Sequence, residues 1–155
     1  MDNITGGELK KGKAYCLRLL SLRQRSEHEI DERLKGKGYG ERVRKRLLDL
    51  LKKDGLVNDL KFAEAWIDSR LRSNPKGKRA LKEELKSKGI QKEIIEQAFT
   101  EKASQLDERT MAAELIKKKL SKSKPGIEKG KMFQYLLRRG IDPEAAEEAI
   151  NDEVK

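Results

Sequence analysis

Leu85-Lys86-Ser87-Lys88-Gly89-Ile90 reads as the end of a helix. Glycine takes the left-handed position past the last turn without the steric cost that any other residue meets there. Ile90 follows it, and Leu85 stands where the chain folds back to touch, the apolar pair of a Schellman stop. Lys86 and Lys88 place positive charge at the negative end of the helix dipole. The same stop occurs at Leu34-Lys35-Gly36-Lys37-Gly38-Tyr39 and at Leu136-Leu137-Arg138-Arg139-Gly140-Ile141, so that Gly38, Gly89 and Gly140 stand 51 residues apart. The flanks keep the same register. Ile30, Leu81 and Met132 coincide, as do Val43, Ile94 and Ala145, then Leu47, Ala98 and Ala149, then Leu48, Phe99 and Ile150. The apolar positions repeat and the polar ones mostly do not, which is the mark of tandem modules that share a core.

Composition points the same way. The chain has 155 residues, 35% apolar and 41% charged, with few aromatics and three prolines. That favours helices with thin cores over a sheet protein. Units of about 50 residues are marginal alone, so neighbouring modules are expected to lean on one another or to stay loosely coupled and move. The expected architecture is all-α: nine helices as three tandem three-helix modules, with a disordered N-terminus over 1–8 and modules over 9–58, 59–103 and 104–155. Helices are expected over about 9–22, from Ser26 to the Gly38 stop, and over 41–53, 59–73, 78–88 and 91–102. Three more follow, carrying Met111 to Leu120, Met132 to Leu137, and the stretch after Asp142-Pro143.

Local signals mark the starts and stops. Ser26-Glu27-His28-Glu29 is a capping box, and Ser104-Gln105-Leu106-Asp107 is a weaker one. Asn58 or Asp59 is expected to cap the fourth helix; with Asn58 as the cap, Val57 and Phe62 take the staple positions. Pro75 and Gly77 interrupt the second module, and Pro125-Gly126 the third. Asp142 caps the last helix, with Pro143 in its first turn.

Net charge is +10, and it is uneven: residues 10–58 carry +8, residues 59–107 and 108–155 carry +2 each. A basic balance calls for a polyanionic partner, whether nucleic acid, a nucleoprotein filament or an acidic protein face. The single cysteine, Cys16, rules out an intramolecular disulfide and reads as core filler. The lone histidine, His28, has no second ligand nearby, so no metal is expected. Gly77-Lys78 lacks the remainder of a nucleotide-binding loop. Glu83-Glu84 and Glu147-Glu148 read as solvated faces rather than paired acids for catalysis. Trp66 keeps helical spacing with Phe62 and Ile67 and reads as a packing anchor rather than a base-stacking platform. No apolar run is long enough for a membrane span and no signal-peptide segment opens the chain, so a soluble, cytoplasmic, non-enzymatic protein without cofactor is expected.

The run Gly55-Leu56-Val57-Asn58-Asp59, then Phe62-Ala63, Trp66-Ile67, Arg70, Gly77, Leu85 and Lys88-Gly89-Ile90 resembles the central signature of the RecX family, modulators of RecA-type recombinases. Arg23, Ser26, Glu29, Ile30, Leu34 and Gly38 resemble that family's N-terminal signature. The resemblance covers roughly 14–100; beyond it the match is mainly one of helix pattern. It implies three-helix modules in an extended, curved arrangement. It also implies a monomer that binds the recombinase filament on single-stranded DNA, blocks its extension and damps ATP hydrolysis, strand exchange and coprotease activity in DNA repair, recombination and the SOS response. The basic residues expected at that contact are Arg23, Arg25, Lys35, Lys37, Arg42, Arg44, Arg70, Lys76, Lys78 and Arg79. Single- or double-stranded DNA is a further expected partner. The competing reading is a DNA- or RNA-binding helical protein that acts without a recombinase.

Overall fold

The computed structural model describes residues 4–122 and 127–154. Among them are nine α-helices and no strand: α1 (Gly6–Leu22), α2 (Glu27–Gly36), α3 (Glu41–Lys53), α4 (Asp59–Ser73), α5 (Lys78–Ser87), α6 (Lys92–Glu101), α7 (Glu108–Lys122), α8 (Lys129–Arg138) and α9 (Pro143–Glu153), with a short 3-10 turn at Ala103–Gln105.

The three glycine stops form as the sequence requires. Gly38, Gly89 and Gly140 have φ of 91°, 79° and 79°. In each, the amide after the glycine bonds back to the carbonyl of the apolar residue that opens the motif: Tyr39 to Leu34 at 3.1 Å, Ile90 to Leu85 at 3.2 Å and Ile141 to Leu136 at 3.1 Å. The stop therefore does two things at once. It satisfies carbonyls that the helix end leaves orphaned, and it turns the chain into the next helix, which packs against the last.

Three separate cores follow, one to each module, in place of the shared core expected from the repeat. Cys16, Ile30, Leu34, Leu47 and Leu51 fill the first, closed by Val57. Phe62, Ile67, Leu81, Leu85 and Phe99 fill the second, and Met111, Ile116, Met132, Leu136, Ile141 and Ile150 the third. Each holds about ten buried residues, and burying one Leu or Ile contributes about 1.5–3 kcal/mol. Cores of this size leave little margin over chain entropy, so contact between modules matters to stability. Leu71 packs against both the second and third cores.

Several local expectations are corrected. α1 begins at Gly6, inside the stretch expected to be disordered, because Thr5 and Glu8 form a reciprocal capping box; residues 1–3 lie outside the described residues. The box expected at Ser104 does not form. Ser104 is taken up in the 3-10 turn, Leu106 is buried in the second core, and Asp107 accepts from the Arg109 amide at 3.1 Å and the Thr110 hydroxyl at 2.8 Å. Asn58, not Asp59, caps α4, and Val57 joins the first core while Phe62 joins the second. The expected break at Pro125-Gly126 lies outside the described residues. Asp142 and Pro143 open α9.

Consecutive modules are joined by one kind of contact, used twice. The N-terminus of the second helix of one module sits on the glycine stop of the next. In the first joint, Ser26 donates its hydroxyl to the Lys88 carbonyl at 2.8 Å, and the Glu27 amide donates to Asp59 at 2.9 Å. In the second, the Gly77 amide donates to the Arg139 carbonyl at 2.7 Å, and the Lys78 amide donates to Glu108 at 2.6 Å. Glu108, almost fully buried, also accepts from the Asp142 amide at 2.7 Å. The acid at the start of one module thus caps a helix of the module before it.

Candidate functional site: the basic faces

The ten basic residues expected at a partner contact do not form one face. Lys35, Lys37 and Arg42 are exposed around the first glycine stop and the start of α3. Lys37 also lies over the Tyr15 ring, 5.2 Å from its centroid. Lys78 and Arg79 are exposed at the joint of the last two modules, where Arg79 donates to the Leu137 carbonyl at 3.0 Å.

The other five are held by the fold. Arg25 is buried at 6% exposure, and its Nε has no hydrogen-bond partner. Burial, with the cations Arg23 and Arg33 near, lowers its hold on its proton. Its charge is therefore not part of an exposed basic face. Arg23 pairs with Glu29 at 2.5 Å and braces the Ser26 capping box. That carboxylate raises the Arg23 pKa further, through a hydrogen bond first. Arg44 donates to Asp31 at 2.9 Å and to the Tyr39 carbonyl at 2.8 Å, tying α3 to α2 and to the glycine stop. Arg70 and Lys76 both bind Glu84.

Glu84 is the residue that sequence reasoning misread. It accepts from Trp66 Nε1 at 2.7 Å, Arg70 Nε at 2.9 Å and Lys76 Nζ at 2.6 Å. Burial alone would raise its pKa, but hydrogen bonds from Lys76, Trp66 and Arg70 outweigh it and hold the carboxyl below its ordinary value. Trp66 stacks on Phe62 with centroids 5.9 Å apart, and Arg70 and Lys88 lie over its ring at 4.8 and 5.2 Å. The result is a half-buried cation–aromatic cluster on the second module, with three cations and one carboxylate. Its donors come from 8, 14 and 18 residues upstream of Glu84, so no local motif announces it. Lys88, read from the sequence as a charge at a helix end, also lies 3.9 Å from Glu29 of the first module.

Cys16 is fully buried, and burial pushes its thiol up to about 11. Among the described residues, no group of three or more His, Cys, Asp and Glu side chains is placed to hold a metal ion. No described helix is long and apolar enough to cross a membrane. What the surface offers is charge spread over linked modules: exposed cations at the first glycine stop, and half-buried ones on the second module.

Comparison with known proteins gives consistent similarities. Residues 13–51 match the first three-helix domain of RecX, and residues 58–98 match the second. The regulatory protein RecX of Mycobacterium sp. (strain JLS) is 38% identical over 152 residues, covering 94% of this chain and 82% of that protein. The regulatory protein RecX of Mycolicibacterium smegmatis is 34% identical over 152 residues, covering 94% and 80%. The crystal structure of RecX from Lactobacillus salivarius superposes with a TM-score of 0.83 at 23% identity, covering 96% of this chain and 97% of that one, and shares its fold.

Proposed function

Because this chain belongs to the RecX family of regulatory proteins, we propose that it is a non-enzymatic, cytoplasmic regulator of a RecA-type recombinase. In this reading it binds the recombinase filament on single-stranded DNA and blocks its extension. ATP hydrolysis, strand exchange and coprotease activity fall as a consequence, which places the protein in DNA repair, recombination and the SOS response. The observation that carries the reading is the similarity to RecX proteins along nearly the whole chain.

The physical arrangement supports it. A filament repeats its surface at a fixed step, and three modules joined at fixed contacts reach several subunits at once. Each contact can be weak, since linkage raises the effective concentration of the next. The cations at the first glycine stop steer the encounter with a polyanionic filament more than they set final affinity.

The test is ATP hydrolysis by a RecA-type recombinase on single-stranded DNA, with this protein added well below stoichiometry. A loss of activity that deepens with time is expected, because blocked growth leaves end dissociation unopposed. The net charge of +10 favours one second reading, direct binding to DNA or RNA. It predicts loss only when the protein saturates the DNA, with affinity for bare nucleic acid that falls steeply with salt. No effect at any ratio overturns the regulatory reading.

A further inference from the structure

The crevice between the first two modules and the crevice between the last two are one construction made twice. Glu27, His28 and Asp31 of α2 face Asp59, Gly89 and Gln91 in the first. Lys78, Arg79 and Lys82 of α5 face Glu108, Gly140 and Asp142 in the second. Each residue of the second set stands 51 positions after its counterpart, except Glu108, which stands 49 after Asp59.

One wall of this crevice occurs a third time, at the far end of the last module. Lys129, Gly130 and Phe133 of α8, with Glu147, Ile150 and Asn151 of α9, line a surface hollow. All six stand 102 positions after Glu27, His28, Asp31, Lys45, Leu48 and Asp49, which line the first crevice. Phe133 replaces Asp31, so the wall has become more apolar. The opposite wall recurs at the near end of the first module. Glu8, Gly38 and Gly40 stand 51 positions before Asp59, Gly89 and Gln91, and all three are exposed. A Cβ on Gly89 would run into His28, and one on Gly140 into Ala80. At Gly38, Gly40 and Gly130 it would meet nothing within 4 Å.

We propose that these two surfaces join one copy of the chain to the next, the Gly38 stop of one seating on the α8–α9 wall of a second. The contact continues the internal joints by the same rule. The Glu128 amide takes the place of Gly77 and donates to the Lys37 carbonyl of the second copy, while the Lys129 amide donates to its Glu8 carboxylate. Charge favours the match. Glu147 lines the α8–α9 hollow, while Lys35 and Lys37 flank the glycine stop; Glu148 and Asp152 of α9 are already paired with Arg109. The two surfaces are different patches, so the contact is heterologous and leaves one of each open after every addition. It is also weak in dilute solution. The internal joints form between tethered modules at high effective concentration, and the join between copies has no tether. It requires no recombinase, and it departs from the monomer expected from sequence.

Sedimentation equilibrium of the full chain, from micromolar to near-millimolar concentration, tests it with Gly130→Trp and Gly40→Trp. At both positions a Cβ meets open space and φ is not in the left-handed region, so a side chain there is accommodated by the backbone; helicity by circular dichroism checks that each variant folds. The wild-type average mass is expected to rise past that of a dimer. Each variant alone is expected to remain monomeric, and an equimolar mixture to stop at a dimer, because each supplies the one surface that the other lacks. A wild-type chain that stays monomeric over the whole range overturns the proposal. So does either variant alone associating like wild type, or a mixture that stays monomeric.

Discussion

Glu84 shows how far a single carboxylate reaches in a thin-cored protein. Replacing it with Ala strands Lys76, Arg70 and the Trp66 indole, and removing a partner from half-buried charged groups costs about 1–3 kcal/mol; urea unfolding measures it. Its folded-state pKa is depressed, so its contribution is complete above the ordinary glutamate value. That contribution is lost as pH falls through the lower folded value. The acid limb of the stability curve is therefore expected to be shallower in Glu84→Gln than in wild type, and acid titration followed by circular dichroism checks it. Cys16 makes the opposite point. Buried and with its thiol raised to about 11, it is expected to resist a thiol reagent in the native state and to react once the chain is unfolded in urea. Its role as filler was legible from its apolar neighbours. The role of Glu84 was not, because adjacent glutamates on a helix look solvated until the partners from other helices are placed.

At the scale of elements, the three glycine stops share a conformation and differ in surroundings. Gly38→Ala forces a left-handed conformation on a residue with a Cβ, at a cost of about 1–2 kcal/mol. Gly89→Ala pays the same strain and also drives its Cβ into His28, so it is expected to be the more destabilising and to loosen the first joint. Denaturant unfolding ranks the two, and small-angle scattering reports the joint. The acids that cap across modules behave likewise. Burial raises the Asp59 pKa, more than the Glu27 amide lowers it, so the charged form is disfavoured in the folded state. The stability this shift brings is present below the ordinary aspartate value and lost as pH rises through the folded one. Asp59→Asn keeps an acceptor for the Glu27 amide and removes the desolvated charge, so at neutral pH it is expected to be at least as stable as wild type. Asp59→Ala orphans the amide and is expected to cost about 1 kcal/mol. The helix ends were readable because caps and stops act within four or five residues. There were two exceptions: the Thr5–Glu8 box starts α1 inside the stretch expected to be disordered, and at Ser104 burial of Leu106 in the second core overrode a weak box.

For the whole molecule, charge and fold are separable only at some of the basic positions. Reversing Lys35 and Lys37 to Glu is expected to weaken binding to a recombinase filament, most strongly at low salt, with helicity unchanged. Adding Arg44→Glu is expected to cost stability as well, because Arg44 binds Asp31 and the Tyr39 carbonyl; filament binding measured beside thermal unfolding distinguishes the two. The sequence by itself determined the helices, their stops, the 51-residue repeat and so the modular all-α class, since each rests on periodicity and on contacts a few residues apart. Only the tertiary structure decided which cations are exposed and which are buried or half-buried. It alone buried Arg25, gathered Trp66, Arg70, Lys76 and Lys88 around Glu84, and made Asp59 and Glu108 the caps of neighbouring modules. The reason is physical: charge pairing and burial depend on distance in space, and the partners are brought together by packing from tens of residues away.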